Sequence, residues 1–94
     1  MAEITVVDNP AASRFEAFVD GKLAGFCAYV PTGTVLILPH TVVDTEFEGQ
    51  GVGSALVRGT LDSLRAQGKR VYPTCSFVSG FIRKHPEYRT MVGS

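Results

Sequence analysis

Short runs of alternating apolar and polar residues fill the first third of the chain, and this period-two pattern predicts half-buried strands. The runs are Glu3–Val7, Arg14–Val19 and Leu23–Val30, each bounded by turn-forming residues. The dipeptide Asp20-Gly21, between the second and third runs, is a strong hairpin signal. The sequence therefore predicts that the second and third strands pair with each other.

After a turn predicted at residues 31–33, the β-branched run Thr34–Val43 predicts a longer strand. Pro39 interrupts this run and predicts a bulge or an edge there, because proline cannot donate a hydrogen bond to a ladder. Changes of period then predict three more elements, which are a helix over residues 51–67, a short strand at Arg70–Tyr72 and a helix over Ser76–His85.

Each helix is expected to bury one apolar stripe. The expected buried positions are Val52, Leu56, Thr60, Leu61 and Leu64 in the first helix and Phe77, Val78, Phe81 and Ile82 in the second. Gly68 is placed to cap the first helix, and Pro86 is placed to stop the second. The strands before and after the first helix would form one βαβ crossover, so they should run parallel.

Composition narrows the class of protein. A chain of 94 residues that is 45% hydrophobic has room for one core, and we expect a single domain over residues 1–94. Nine basic and nine acidic residues cancel, and no Lys/Arg cluster with interleaved aromatic residues occurs, so we expect no nucleic-acid partner. The longest apolar stretches are too short to span a bilayer, and residues 1–4 do not resemble the start of a signal peptide. The sequence thus predicts a cytoplasmic protein with no membrane segment.

The two cysteines, Cys27 and Cys75, lie in different predicted elements, with neither a C-x-x-C pair nor a histidine at metal-ligand spacing. The sequence therefore predicts no metal site. Cys27 falls inside a strand-like run and is expected to act as a small buried apolar side chain. Cys75 differs, because it stands between a strand and the start of a helix.

Three glycines at every second position, Gly49, Gly51 and Gly53, join the long strand to the first helix. Glycine lets a ligand approach the backbone closely, and the N-terminus of the following helix directs free N–H groups and a positive dipole end at the same place. This combination predicts a site for pyrophosphate. The alternative is a glycine-rich turn that only reverses the chain.

Two familiar phosphate motifs do not fit this loop. The dinucleotide fingerprint G-x-G-x-x-G would need glycine at Ser54 or Leu56, and the P-loop would need a Lys-Ser/Thr pair after its last glycine. The pattern Gln/Arg-x-x-Gly-x-Gly/Ala does lie over residues 48–53, with Glu48 standing where that pattern has Gln or Arg. The chain therefore resembles the GCN5-related N-acetyltransferase superfamily, and in particular its small single-domain members.

The resemblance implies an α/β chain with the acyl-CoA N-acyltransferase-like fold, in which a mixed sheet has an antiparallel N-terminal part and a C-terminal βαβα unit. It also implies that acetyl-CoA or coenzyme A binds, with the pyrophosphate on the glycine loop and the pantetheine arm beside the strand before it. The implied cofactor-binding residues are Val42, Val43, Asp44, Glu48, Gly49, Gln50, Gly51, Val52, Gly53 and Ser54.

Family members usually have two helices after the first strand, and those helices help to enclose the acceptor. Residues 8–13 leave no room for them in this chain. The acceptor side is then open or is completed by a second copy of the chain, most simply in a homodimer.

Acetyl transfer to an amine needs a base, and the candidates are His40, Glu46 and Glu48. We favour His40, because it lies in the predicted strand near the thioester end and histidine commonly moves protons near neutral pH. A histidine that is hydrogen-bonded for packing beside Pro39 is the alternative. The two glutamates are expected to be solvated or to cap the helix.

The leaving CoA thiolate needs a proton, and many family members supply it from a tyrosine in the last helix. The corresponding position here holds Ile82, and Tyr88 could replace that tyrosine only if the chain folds back. In the same register Cys75 stands where the family commonly has an asparagine that contacts CoA. The helix N-terminus could lower the pKa of Cys75, so Cys75 is predicted to be a proton donor or an acyl-carrying nucleophile, with an inert buried cysteine as the alternative.

Two basic residues close the last helix, Arg83 and Lys84, and they could pair with the phosphates of the cofactor. The helix dipole favours basic residues at that end without any ligand, and this simpler explanation is preferred.

The sequence leads to an acetyl-CoA-dependent N-acetyltransferase that acts on a small amine or an exposed amino group of a protein. A module that binds CoA or acyl-CoA without turnover is the alternative. A nucleotide or phosphate sensor is a third and weaker interpretation.

Overall fold

The computed structural model describes residues 3–93 of the chain. The elements are β1 (Ile4–Asn9), β2 (Arg14–Val19), β3 (Lys22–Ala28), β4 (Val30–Thr32), β5 (Val35–Ile37), β6 (Thr41–Val43), α1 (Val52–Ala66), β7 (Arg70–Tyr72) and α2 (Ser76–Lys84). Short 3-10 turns lie at Pro10–Ala12, Thr45–Phe47 and Pro86–Met91. Within residues 3–93, no helix is long and apolar enough to cross a membrane.

The first sheet is antiparallel, in the order β1-β2-β3-β6. The predicted hairpin is confirmed between β2 and β3, where Asp20 and Gly21 both take positive φ angles, 49° and 85°. Two positive φ angles at the turn match the twist of the flanking strands. Only the turn Pro10–Ala12 separates β1 from β2, so the two helices usual in the family are absent, as predicted.

The second sheet has the order β4-β5-β7. β5 and β7 run parallel, with Val35 opposite Arg70, so the predicted βαβ crossover is confirmed for this part of the strand. The fold is mixed α/β, with an antiparallel N-terminal part and a C-terminal βαβα unit.

The interruption predicted at Pro39 is confirmed, but residues 34–43 form two strands in different sheets and not one strand. The backbone leaves the β5 line at Pro39; after it, β6 pairs with β3 while β5 stays between β4 and β7. A proline without an N–H group fits this break between ladders. The sheets therefore separate just before the glycine loop.

The turn predicted at residues 31–33 lies one residue later in the chain. Val30–Thr32 forms β4, which pairs with β5, and the chain reverses one step later around Gly33. The predicted strand Leu23–Val30 breaks at Tyr29, whose N–H donates to the carbonyl of Ser13 at 3.0 Å. That hydrogen bond joins the pair that follows Arg14 and Ala28 in the β2–β3 register, and the chain enters β4 directly after it.

α1 packs on the first sheet through the predicted stripe, and Val52, Leu56, Thr60, Leu61 and Leu64 are all buried. Gly68 ends α1 with a φ of +73°, and the N–H of Lys69 donates to the carbonyl of Leu64 at 2.9 Å, which confirms the predicted cap. In α2, Val78, Phe81 and Ile82 are buried as expected. Phe77 is not buried as expected. It is 47% exposed, because its ring lies beside Gly53 at the edge of an open cleft.

Candidate functional site

The glycine loop lies at the end of β6 and opens onto a cleft of about 300 Å³. Asp44 starts the loop by accepting a hydrogen bond from the N–H of Glu46 at 2.9 Å, which holds the 3-10 turn Thr45–Phe47. Gly49 and Gly51 have φ angles of +82° and +78°, and no atom lies within 4 Å of a Cβ built on either. Space and left-handed backbone together explain why glycine is needed at both positions.

Gly51 is also the N-cap of α1, and it makes no side-chain capping hydrogen bond. The N–H groups of the first turn of α1 therefore face the cleft with the positive end of the helix dipole. This is the geometry that the sequence predicted for a pyrophosphate. Glu48, Gln50 and Ser54 are exposed around it, and Val52 is buried beneath it.

Gly53 has a different role from the other two glycines. It lies inside α1, and a Cβ built on it would lie 2.8 Å from Cζ of Phe77. The Phe77 ring thus separates the loop cleft from a second cleft of about 290 Å³ between the start of α1 and α2. Ser54, Gly80, Lys84 and His85 line this second cleft, and Gly80 leaves open space where a side chain would stand.

A gap between the two sheets lies beside β6, which pairs with β3 and not with β5 or β7, and Cys75 lies across this gap in contact with Thr41. The carbonyl of His40 and the N–H of Asp44 are bonded to β3, to Ala28 and Ala24 respectively. Hydrogen-bonded and non-hydrogen-bonded pairs alternate along an antiparallel ladder. The backbone groups of Thr41 and Val43 therefore point away from β3 and into the gap. Across the gap Cys75 is held by its own N–H, which donates to the carbonyl of Leu38 at 3.0 Å.

Among the predicted pantetheine contacts, Val43 presents backbone groups to the gap. Val42 pairs with Phe26 in β3, so its backbone groups are used within the sheet and its side chain is 44% exposed on the other face. Asp44 begins the turn into the loop, as described above.

Cys75 is the N-cap of α2, at the position the sequence predicted. Its thiol is 9% exposed and donates to Oγ1 of Thr41 at 3.7 Å. Burial raises the pKa of this thiol, but the N–H groups of Val78 and Phe77 and the hydroxyl and N–H of Thr41 lower it by more. The net pKa lies below the ordinary value, which favours the thiolate.

Cys27 is fully buried beneath α1, and burial raises the pKa of its thiol above the ordinary value. The predicted difference between the two cysteines therefore agrees with their surroundings. Both are free thiols. No group of three or more His, Cys, Asp or Glu side chains within residues 3–93 could hold a metal ion.

His40 and Cys75 lie on opposite faces of the first sheet. Phe26 and Cys27 are consecutive in β3, so their side chains point to opposite faces. The His40 ring packs edge-on against Phe26 with 6.1 Å between ring centroids, whereas Thr41 contacts Cys27 on the face beneath α1. His40 is exposed there, and strand β6 lies between its ring and the Cys75 thiol, which contacts the Thr41 side chain on the other face.

Two of the other candidates, Glu46 and Tyr88, have structural roles. Glu46 forms a surface ion pair with Lys22, with Nζ and Oε2 2.9 Å apart. Tyr88 is buried and donates from its hydroxyl to Oδ1 of Asp62 at 2.6 Å, which fastens the C-terminal turn to α1. Ile82 is buried in the core, so α2 presents no phenol at that position.

Thr41 is the site residue that the sequence analysis missed. It lies 3.7 Å from both sulfur atoms through the same hydroxyl oxygen. A threonine in a β-branched run is an ordinary strand residue, and only the pairing of β6 with β3 shows which side chains it meets.

A family model for GCN5-related N-acetyl-transferases matches residues 14–91 of this chain. Among solved structures, a GCN5-like putative N-acetyltransferase from Staphylococcus aureus is similar with a TM-score of 0.72 and 20% identity, over 100% of this chain and 92% of that protein. The ribosomal-protein-S18-alanine N-acetyltransferase from Escherichia coli has a TM-score of 0.62 and 20% identity, over 78% of this chain. No curated protein matches the sequence significantly.

A third structure, a putative acetyltransferase of the GNAT family from Desulfovibrio desulfuricans, has a TM-score of 0.53 and 21% identity over 79% of this chain. The matches span 66% of the E. coli protein and 52% of the Desulfovibrio protein. At 20–21% identity, these comparisons show a shared fold. The family match includes the glycine loop, both helices and Cys75, and it shows that the chain belongs to the GCN5-related N-acetyltransferase family.

Proposed function

We propose that the protein transfers the acetyl group of acetyl-CoA to an amine. The observation that carries this proposal is the position of Cys75, a thiol of lowered pKa at the N-cap of α2 that contacts Thr41 of β6, the strand that leads into the glycine loop. A site that only held the phosphates of the cofactor would not need a thiol of lowered pKa outside the glycine loop.

Acetyl-CoA binding is supported by the loop and by the edge of β6. The pyrophosphate would lie on the N–H groups of residues 48–54, where Gly49 and Gly51 leave open space. The amide groups of the pantetheine arm would bond to the backbone groups of Val43, in the manner of an added strand. The second cleft, beyond Phe77, offers room for the nucleotide end.

The lowered pKa of Cys75 raises the fraction of its thiolate, which supports the role of nucleophile. In the first step the Cys75 thiolate sulfur bonds to the acetyl carbon, the bond from that carbon to the CoA sulfur breaks, and CoA leaves as a thiolate that takes a proton from water. In the second step the amine attacks the acetyl-cysteine, the Cys75 thiolate leaves, and a base accepts the proton of the amine. The thiolate is restored at the end of the cycle.

His40 is proposed as that base. It lies on the face of the sheet where Val7 and Val42 are 43% and 44% exposed, and the short turn Pro10–Ala12 leaves this face accessible. An amine that enters from this face would meet His40 before it reaches the gap. Cys75 and His40 would then act from opposite sides of the sheet, one on the acetyl group and one on the acceptor.

A module that binds CoA without turnover is the second candidate. The observation that favours it is the turn Pro10–Ala12, which stands where family members have the helices that help to enclose the acceptor. Turnover distinguishes the two functions.

The test follows release of the free CoA thiol from acetyl-CoA in the presence of three acceptors: a small aliphatic amine, a peptide with a lysine side chain, and a peptide that begins with alanine. The last is included because alanine appears in the name of the E. coli neighbour. We expect amine-dependent release from the wild type, a loss of at least about 100-fold in Cys75→Ala, and no loss in Cys27→Ala. Binding without release for every acceptor would favour the module.

A further inference from the structure

Cys27 is a buried thiol that the proposed reaction does not use, yet it belongs to a row of three side chains that ends at Cys75. Oγ1 of Thr41 lies 3.7 Å from Sγ of Cys75 and 3.7 Å from Sγ of Cys27. Thr41 and Cys27 are directly opposite in β6 and β3, in the kind of pair where the two strands approach most closely. The sheet itself therefore holds the hydroxyl between the two sulfurs.

The hydrogen bonds in this row run in one direction. The Cys75 thiol donates to Oγ1 of Thr41, the Thr41 hydroxyl donates to Sγ of Cys27, and the Cys27 thiol reaches the carbonyl of Ala28 at 3.9 Å. A hydroxyl has one proton and two acceptor sites, and its proton can rotate about the C–O bond. When Cys75 loses its proton, the Thr41 hydroxyl can turn and donate to the thiolate without movement of any heavier atom.

We propose that Thr41 is a positioning residue whose hydroxyl switches its hydrogen bond from Cys27 to Cys75 when Cys75 becomes a thiolate, and that Cys27 serves as the resting acceptor of that hydrogen bond. This gives the second cysteine a role that requires no reaction at its sulfur. The proposal rests on Cys75 being the reacting thiol of the proposed function, but its test needs no acetyl transfer.

Few charged groups face the row formed by Cys75, Thr41 and Cys27. From β3 the titratable neighbour is Cys27, whose thiol stays protonated because burial raises its pKa. From β6 and its ends, His40 packs against Phe26 on the other face and Asp44 caps the turn before the loop. α2 brings Arg83 and Lys84 only in its last turn, and Arg58 of α1 lies over the rings of Phe81 and Tyr88.

The experiment measures the rate of iodoacetamide reaction at Cys75 as a function of pH, with the modified residue located by peptide mass. Thr41→Val removes the hydroxyl at nearly constant shape, so the midpoint of the profile should rise by at least about half a pH unit. Thr41→Ser restores the donor and should return the midpoint to near that of the wild type. A folded Thr41→Val protein with an unchanged midpoint would overturn the proposal.

Cys27→Ala tests the other end of the row. It provides the test of the proposed hydrogen-bond switch if Thr41→Val does not fold. It removes the resting acceptor, which stabilises only the state with a protonated Cys75, so the midpoint should fall. An unchanged or higher midpoint in Cys27→Ala would overturn the proposal. If these shifts occur while no acceptor supports CoA release, the switch stands and the proposed transferase function fails.

Discussion

The Phe77 ring lies against Gly53, with its Cζ atom 2.8 Å from where a Cβ of residue 53 would stand. The contact joins the first turn of α2 to the first turns of α1, next to the two glycines that shape the loop. The three alternating glycines thus serve two purposes. Gly49 and Gly51 supply left-handed backbone, and Gly53 supplies room for a ring.

Gly53→Ala should displace the Phe77 ring and narrow the passage between the two clefts. Because the crowded atom is the end of a movable side chain, we expect the fold to persist with a small change in melting temperature. The affinity for acetyl-CoA, measured by calorimetry, should fall. Phe77→Ala in the same chain should restore part of that affinity, which makes the two effects non-additive. Strictly additive losses would separate Phe77 from the cofactor path.

Gly51→Ala tests the loop itself, and Gly33→Ala is its matched control. Both glycines have positive φ, +78° and +74°, with open space around the missing Cβ, so either change should cost about 1–2 kcal/mol of stability through backbone strain alone. Gly33 lies in the turn between β4 and β5, away from the loop. Only Gly51→Ala should weaken acetyl-CoA binding. Equal affinities in the two variants would remove the loop from the site.

Cys75 should react with iodoacetamide faster than Cys27 at neutral pH. The surroundings of Cys75 lower its thiol pKa, whereas burial raises the pKa of Cys27. Because the thiolate is the nucleophile, the rate at Cys75 should reach half its maximum below the pH of an ordinary cysteine, roughly 8.5. Bound CoA should protect Cys75. Equal rates at the two cysteines, with no protection, would make Cys75 a packing residue.

Glu16 should make stability depend on pH in the acid range. Hydrogen bonds from Arg14 at 2.8 Å and Asn9 at 3.1 Å hold the pKa of its carboxyl below the ordinary value of 4.5. Its contribution is then fully present above pH 4.5 and is lost as the pH falls through the lowered folded value. Melting temperatures of the wild type and Glu16→Gln should differ at pH 7 and converge in acid. A constant difference across that range would argue against the hydrogen-bonded carboxylate.

We expect a second copy of the chain to complete the acceptor side, because the turn Pro10–Ala12 replaces the helices that usually enclose it. Sedimentation equilibrium should show a two-fold dimer, and specific activity should fall on dilution below its dissociation constant. A strictly monomeric protein that still acetylates an amine would contradict this expectation.

The sequence predicted the elements whose pattern is local. The period of residues 51–67, the cap at Gly68 and the hairpin at Asp20-Gly21 depend on neighbouring residues, and all three are confirmed. Pro39 predicted an interruption, but not that β6 joins the other sheet, because the pairing of β6 depends on β3, more than ten residues earlier. Strand pairing over such distances leaves no local signal.

The dependence on distant strand pairing also explains which residues of the candidate site could be predicted. Cys75 was predicted from its place at a helix start, but Thr41 entered only through the register of β6 against β3. Phe77 was expected to be buried because it belongs to the apolar stripe of α2. Helical periodicity identifies the apolar face but does not show which part of the molecule packs against it. Here Phe77 meets Gly53 at a partly open cleft.

The measurement that tests the account most directly is the intact mass of the protein after incubation with acetyl-CoA alone, combined with calorimetry of acetyl-CoA, ATP and NAD on the same sample. We predict that acetyl-CoA binds in preference to ATP and NAD and that one acetyl group is added, located at Cys75 by peptide mass and absent in Cys75→Ala. The acetyl group should be lost again when the acceptor amine is added. Binding of ATP or NAD as tight as that of acetyl-CoA, with no added mass, would contradict the account.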